Sequence, residues 1–472
     1  MGRYKTLAGN TLIFGISNFS SKLLVFFMLP IYTSYLSTAE YGTVDLVTTA
    51  VSLLIPILTM CISGGVMRFS LDREYDNKKV FSVGVRVILL SILVFIVISP
   101  VFLLMDAVKP YYVFCILLYL VNVANEFLNN FARGIQEVKL VGIAGVSATF
   151  VAVVTNIIFL VVFRWGIKGY IGSLIISQFV SANILFFGGR IYSYFSHDFD
   201  KSIARDVLQY SAPMVPNKLS WWVNHFINRY ILNGFLGTSE VGLYSVATKM
   251  PQIIDTFRGI FVEAWQLSMI TEYEDDESKG FFVNVYRVYS VFLILLTAVL
   301  ILSSKWIASF LYAKDFFEAW VFTPMLLVST LFGSLIAFYS PIYLAYKKTN
   351  KLFLFTLAGA VVTVIANLLL VPVLKVNGAV VSSVLSNLII CLSMSVDSRR
   401  YLKMEVSKWR FYISYILLTV IACMISFCRM SPINVLNLSI IGIILILNAK
   451  SIKIFFEQLY TVVLSKLNRK KV

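Results

Sequence analysis

Charge is what this 472-residue sequence has least of: Asp, Glu, Lys and Arg make up 14% of it, against 59% apolar residues. Soluble globular chains carry about 25% charged residues, so a water-exposed domain is excluded as the main architecture. The sequence has 2 histidines and 5 cysteines, with no Cys-x-x-Cys. That spacing excludes a disulfide framework and a zinc site, and no other metal site is expected. Cys61, Cys115, Cys391, Cys423 and Cys428 fall in apolar runs and read as small buried apolar side chains. No Gly-x4-Gly-Lys-Ser/Thr motif occurs, which excludes a P-loop ATPase. Glu272-Tyr-Glu-Asp-Asp-Glu277 is the single dense acidic run; it lacks the glycine turn of a calcium loop and reads as a solvated loop. There is no catalytic constellation, no cofactor is expected, and the alternating short segments of a β-barrel do not appear.

What is present is long apolar runs. Val87–Leu104, Val291–Leu302 and Phe411–Cys428 contain no charge at all. About 20 apolar residues cross the hydrocarbon core of a bilayer, and in lipid the backbone must satisfy itself as a helix. Such runs occur at about 10–35, 43–70, 81–105, 111–135, 141–163, 170–192, 210–236, 242–270, 281–303, 317–345, 352–373, 378–401, 411–428 and 434–449. The fold class is therefore an all-α integral membrane protein of about 14 transmembrane helices. The first run is too long for a cleaved signal peptide. Lys78, Lys79, Lys347, Lys348, Arg399, Arg400, Lys403, Lys408 and Arg410 all fall on one side when the spans are alternated. The positive-inside rule puts that side, and both termini, in the cytoplasm. The net charge of +16 is mainly this topology signal and suits an anionic lipid surface. Basic residues spread over short loops are a poor nucleic-acid surface, so no nucleic-acid partner is expected.

The chain also repeats itself. Residues 35–48 align without gaps on 235–248, identical at Leu36/Leu236, Thr38/Thr238, Glu40/Glu240, Gly42/Gly242 and Thr48/Thr248. Chance would give about one identity. Gly169, Ser173 and Ser177 likewise match Gly378, Ser382 and Ser386; small residues at i, i+4, i+8 let two helices approach closely. Two pseudo-symmetric six-helix lobes follow, at 1–209 and 210–410, then two further spans at 411–450. The tail at 451–472 reads as a cytoplasmic amphipathic helix on the inner leaflet. An even number of spans per copy relates the lobes by an axis along the membrane normal, with a cavity between them. In each copy Ser/Thr, Glu and Gly supply capping and turn chemistry at the start of the second span. Pro30, Pro56, Pro213, Pro216, Pro251, Pro324 and Pro341 lie in or beside spans, where bends would suit lobes that rock.

Ionisable groups inside a span are costly and mark function unless paired. Lys22, Arg68, Lys218 and Arg258 are the candidate substrate-binding cations, concentrated with Lys249 and Arg229 in spans 1, 2, 7 and 8. Asp45, Glu126, His225 and Asp255 are candidates for ion coupling or ion pairing. Both readings stay open. Asp255 and Arg258, three apart on one helix, can neutralise each other, and Arg68, Arg86 and Arg133 can snorkel to the inner surface. Trp221 and Trp222 can stack on sugar rings or serve in packing.

Asn10-Thr-Leu-Ile-Phe-Gly15, Ser21-Lys22, Leu29-Pro-Ile-Tyr-Thr33, Tyr35-Leu36, Glu40-Tyr-Gly42, Asp45-Leu46, Pro56 and Arg68-Phe69-Ser70 resemble the start of bacterial oligosaccharide flippases. These are O-antigen and capsule repeat-unit translocases of the multidrug/oligosaccharidyl-lipid/polysaccharide exporter superfamily. The resemblance is sharp over 10–75 and covers nearly the whole chain in length and span count. It implies a V-shaped fold of six plus six helices with two appended. It also implies a cytoplasmic-membrane protein that moves undecaprenyl-pyrophosphate-linked oligosaccharide from the inner to the outer leaflet by alternating access. Lys22, Arg68 and Arg258 would then hold the anionic head group, and a polysaccharide polymerase and a chain-length regulator are implied as partners. An ion-coupled multidrug exporter of the same superfamily would want an anionic lumen. A lipid II flippase carries several arginines where this chain has Lys22 alone. A polymerase or ligase would need a long outer loop, and none exceeds about fifteen residues.

Overall fold

The computed structural model describes residues 26–72, 74–104, 108–196, 198, 200–272, 278–401 and 409–469. Every regular element among them is helical. In order they are α1 (Leu29–Tyr35), α2 (Thr38–Leu58), α3 (Ile62–Ser70), α4 (Asn77–Ile98), α5 (Tyr112–Gly134), α6 (Val138–Asn156), α7 (Gly166–Asn183), α8 (Lys201–Ser211) and α9 (Val215–Leu236). They continue as α10 (Thr238–Ala247), α11 (Gln252–Glu272), α12 (Ser278–Leu311), α13 (Thr323–Ala345), α14 (Thr349–Leu374), α15 (Val376–Asp397), α16 (Trp409–Cys428) and α17 (Val435–Arg469). Two compact units divide the chain. One is Met1–Leu243 with Leu311–Phe316; the other is Tyr244–Phe310 with Phe317–Val472.

Among the described residues, 11 helices are long and apolar enough to cross a membrane. They correspond to all the expected spans except the first, seventh and eighth. Most of span 1 lies outside the described residues. Span 7 is α9, 22 residues long, but Lys218, His225 and Arg229 lower its apolarity. Span 8 is broken into α10 and α11 at Thr248–Pro251, and α11 carries Asp255, Arg258 and Glu263. The seventh and eighth expected spans thus fall short as plain lipid-crossing segments where they bear these charges. Elsewhere the outer faces are greasy: Leu89, Leu90, Leu93, Ile96 and Val97 of α4 are all exposed, as a lipid-facing helix requires.

Local chemistry sets the helix starts. Ser37 and Glu40 form a complete capping box at α2, as the sequence pattern predicts. Asp76 caps α4, and Asp200 caps α8 through the Ser202 and Ile203 amides. A hydrogen bond from Lys79 Nζ, 3.2 Å away, together with these amides, holds the Asp200 carboxyl below its usual range. Pro30, Pro216 and Pro324 sit in the first turn of their helices, where a missing N–H costs nothing. Of the prolines expected to bend spans, Pro56 and Pro341 lie inside a helix; so does Pro372 in α14. Between α2 and α3 the chain passes through Met60 (φ 50°) and Cys61 (φ 54°), two left-handed non-glycine residues. The predicted second span is thereby two helices.

Gly42 and Gly242 do something other than turn. Both lie inside helices, and a Cβ on Gly42 would collide with the Thr238 carbonyl, while one on Gly242 would collide with the Thr38 carbonyl. Thr38 Oγ1 and Ser239 Oγ are 2.6 Å apart at the same crossing. The repeated motifs thus cross backbone to backbone within the first unit. The other small-residue pair behaves as expected. In the first unit, Gly169 of α7 packs against Phe159, with Ser173 and Ser177 buried. In the second, Gly378 of α15 packs against the Leu370 carbonyl, and Ser386 Oγ donates to the Gly359 carbonyl at 2.9 Å. In the second unit α13 is the central helix, 72% of its span window being buried. The apolar part of α17 and the tail form one helix running on to Arg469, without a break at 450. Of the five free cysteines, Cys428 is exposed and Cys423 half-buried, against the expectation that all five are buried.

Candidate functional site

The first unit holds a polar cavity of about 410 Å³. One wall is a stripe on α5: Asn122, Asn125, Glu126, Asn129, Asn130 and Arg133. These positions follow i, i+3, i+4, i+7, i+8, i+11, the spacing of a single helix face, inside an otherwise apolar span. The remaining wall is Ser52 and Ile55 of α2 and Gln178 of α7. Asn125 Nδ2 donates to Gln178 Oε1 at 2.5 Å, tying α5 to α7. Asn125 Oδ1 is buried with no partner among the described residues. Asn130 Nδ2 donates to its own helix, at the Glu126 carbonyl (2.8 Å). Asn122 and Asn129 make no side-chain hydrogen bond among the described residues.

One of the predicted residues, Glu126, lines this cavity; Lys218 is not part of the lining. Glu126 is exposed to the cavity, and the Lys218 ammonium of α9 acts on its carboxylate electrostatically. Both charges also reach Cys61 at the α2–α3 break. Helix α9 is fixed beside the cavity by Trp222, whose Nε1 donates to the Thr49 carbonyl and to Ser52 Oγ, each at 3.1 Å. Trp222 is therefore a packing residue. Its neighbour Trp221 is 52% exposed and stacks on His225, with ring centroids 4.3 Å apart.

The other candidates are placed apart from this cavity. Arg229 Nε donates to Asp45 Oδ2 in a largely buried ion pair, and Arg229 Nη1 donates to the His225 carbonyl at 2.8 Å. Arg68 ends α3 in an exposed pair with Asp72 at 3.7 Å. In the second unit, Arg258 and Asp255 pair at 2.9 Å along α11, the neutralising arrangement that their spacing allows. Lys22 lies outside the described residues, as do residues 273–277 of the acidic run. No cluster of His, Cys, Asp and Glu among the described residues could hold a metal ion. The second unit has its own cavity, about 620 Å³, walled by apolar and aromatic residues such as Phe332, Leu335, Leu388 and Met424.

The asparagines of α5 are absent from the candidates drawn from the sequence, although their signal is there. Reading the spans for ionisable groups passes over amides, while the 3.6-residue period of polar positions in residues 122–133 is visible without any structure.

The sequence profile of the polysaccharide biosynthesis protein family matches residues 7–266, more than half of the chain. The chain belongs to this family. Curated proteins provide no match to the sequence. Among solved structures, the family member shares its fold with the lipid II flippase MurJ in an inward closed conformation. That likeness has a TM-score of 0.68 and 15% identity, covering 95% of this chain and 100% of the other. An inward-facing MATE multidrug resistance transporter of the MOP superfamily is similar at a TM-score of 0.67 and 14% identity, over 83% of this chain and 100% of the other. A MOP superfamily transporter from Pyrococcus furiosus, described as having a binding pocket of reversed polarity, matches at 0.56 and 14%, over 83% and 96%. The protein is thus a multi-pass membrane protein with the MOP-superfamily fold.

Proposed function

We propose that this polysaccharide biosynthesis family member is a transporter, not an enzyme. On this reading it moves oligosaccharide linked to undecaprenyl pyrophosphate from the inner to the outer leaflet of the bacterial cytoplasmic membrane. Membership of the family, over residues 7–266, is the observation that carries this reading. A fold shared with flippases and exporters is consistent with alternating access as the means, with both termini cytoplasmic. The physical requirements of the cargo agree with what the first unit offers. A sugar needs hydrated polar surface at membrane depth, and α5 supplies it. An anionic head group needs cations, and Lys218 stands beside that surface. The cavity lining holds one carboxylate, Glu126, and one guanidinium, Arg133, so it offers no anionic excess for the cationic drugs of a multidrug exporter. Lys22, Arg68 and Arg258 remain proposed head-group ligands, Arg258 with its charge shared by Asp255.

The test is reconstitution of the full chain in liposomes carrying undecaprenyl-pyrophosphate-linked oligosaccharide, with arrival in the far leaflet read by a lectin. The wild type is expected to speed transfer over empty liposomes. Lys22→Ala and Lys218→Ala are each expected to slow it about tenfold or more, since a hydrogen bond to a charged group is worth about 1.5–3 kcal/mol. Wild-type liposomes no faster than empty ones would reject the reading.

A further inference from the structure

The amide stripe of α5 is more than the ionic head-group reading requires. A pyrophosphate asks for cations and N–H donors; it has no hydrogen-bond donor of its own to use the carbonyl oxygens of four asparagines and a glutamine. Sugar hydroxyls both donate and accept, and side-chain amides do the same. A carboxylate such as Glu126 accepts from hydroxyls only. We propose that Asn122, Asn125, Asn129 and Glu126 of α5, with Gln178 of α7, form a saccharide-binding subsite that grips hydroxyl and N-acetyl groups of the cargo. The inference rests on the lipid-linked oligosaccharide reading and adds to it a place for the sugar.

Several observations carry it. The stripe runs from Asn122 to Arg133, eleven steps along the helix, which at 1.5 Å per step is about 16 Å of polar helix face. Helix–helix packing uses little of it among the described residues: Asn125 to Gln178 is the one side-chain bond that these asparagines make across helices there, while Asn122 and Asn129 make none. The cavity they line is about 410 Å³, inside the roughly 300–1,000 Å³ of small-ligand sites. That is room for a few sugar rings at most, so the subsite reads part of a repeat unit. Asn125 Oδ1, buried and without a partner among the described residues, is an acceptor that a sugar hydroxyl would satisfy. A cation site fits poorly, because the lining holds a single carboxylate, Glu126, which shares its helix face with Arg133.

The experiment uses the full chain in lipid nanodiscs and two probes. One is the reducing oligosaccharide released by mild acid from the producing strain's lipid-linked pool; the other is undecaprenyl pyrophosphate without sugar. Binding of the first is read by saturation-transfer NMR and of the second by calorimetry. Asn122→Ala/Asn129→Ala removes two amides that make no side-chain bond among the described residues, and Glu126→Gln keeps the shape while removing the charge. Both variants are checked for monodispersity and an unchanged thermal midpoint. The double variant is expected to bind the oligosaccharide about five- to hundredfold more weakly, as the loss of two hydrogen bonds predicts, with undecaprenyl pyrophosphate bound as before. Unchanged oligosaccharide affinity in both variants would overturn the subsite, as would equal losses for both probes. A change confined to Glu126→Gln that tracks Na⁺ or pH would reject it in favour of an ion site. A wild type that binds the oligosaccharide but fails the liposome transfer assay would reject the transport reading and leave the subsite standing.

Discussion

Arg229 is 8% exposed and Asp45 17%, so water cannot take over if either loses its partner. Asp45→Ala leaves a buried guanidinium beside Phe226, over whose ring it already lies at 5.0 Å. Removing one member of such a pair costs about 3–5 kcal/mol, whereas replacing both by apolar residues is often neutral. Asp45→Ala is therefore expected to lower the thermal midpoint in detergent sharply, with Asp45→Leu/Arg229→Met recovering most of the loss. Equal midpoints for the single and double variants would show that the pair contributes nothing. At this scale the sequence revealed which charges interrupt apolar runs, Lys218, Arg229 and Glu126 among them, of which the structure buries Arg229 and leaves the other two exposed. It did not reveal partners. Asp45 and Arg229 are 184 positions apart, and nothing local distinguishes an ion-paired cation from a ligand-binding one. Asp255 and Arg258 are the contrasting case, since one helix turn set that pair in advance.

Among the helices, the repeat was legible in the sequence and its mechanical meaning was not. Identity at Gly42 and Gly242 said that the same local need arises twice. The structure shows that the need is backbone contact between the two copies of the motif, each glycine facing the other's threonine carbonyl. Alanine at either position has to push the crossing helices apart. Overpacking of this kind costs about 1–3 kcal/mol, and because the contact is reciprocal the two substitutions are expected to cost nearly the same. Gly42→Ala and Gly242→Ala should thus lower the thermal midpoint by similar amounts, and the double variant by less than their sum, since one displacement relieves both clashes. Strict additivity would mean that the two glycines do not share a contact. Span prediction worked where hydropathy was continuous and missed the break at Met60 and Cys61, whose left-handed backbone no residue type there announces. The fused α17 is the same lesson reversed: a change from apolar to basic residues at 450 does not mark an end of the helix.

For the whole molecule, on the proposed reading of a pyrophosphate-linked cargo, the governing quantity is charge moved across the membrane. A pyrophosphate carries about two negative charges, and each is worth about 2.3 kcal/mol per 100 mV. Outward transfer in an inside-negative cell is then favoured by roughly 4–5 kcal/mol, a factor of about a thousand in the equilibrium ratio. Fixed cations that travel with the cargo would shrink this drive, and fixed cations that stay would not. Of the predicted ligands, Arg258 is already paired with Asp255, and the first unit's cavity is lined by Glu126 as well as Arg133, so its described lining brings no large positive charge. The expected outcome is potential-driven transport. In liposomes with no Na⁺ or H⁺ gradient, a K⁺ diffusion potential of about 100 mV, negative on the cytoplasmic side, should raise the initial transfer rate severalfold. Reversing its sign should abolish net outward transfer. A rate indifferent to potential but dependent on a Na⁺ or H⁺ gradient would mean that a co-transported cation compensates the cargo's charge. Glu126, the carboxylate that lines the polar cavity of the first unit, is then the first residue to replace.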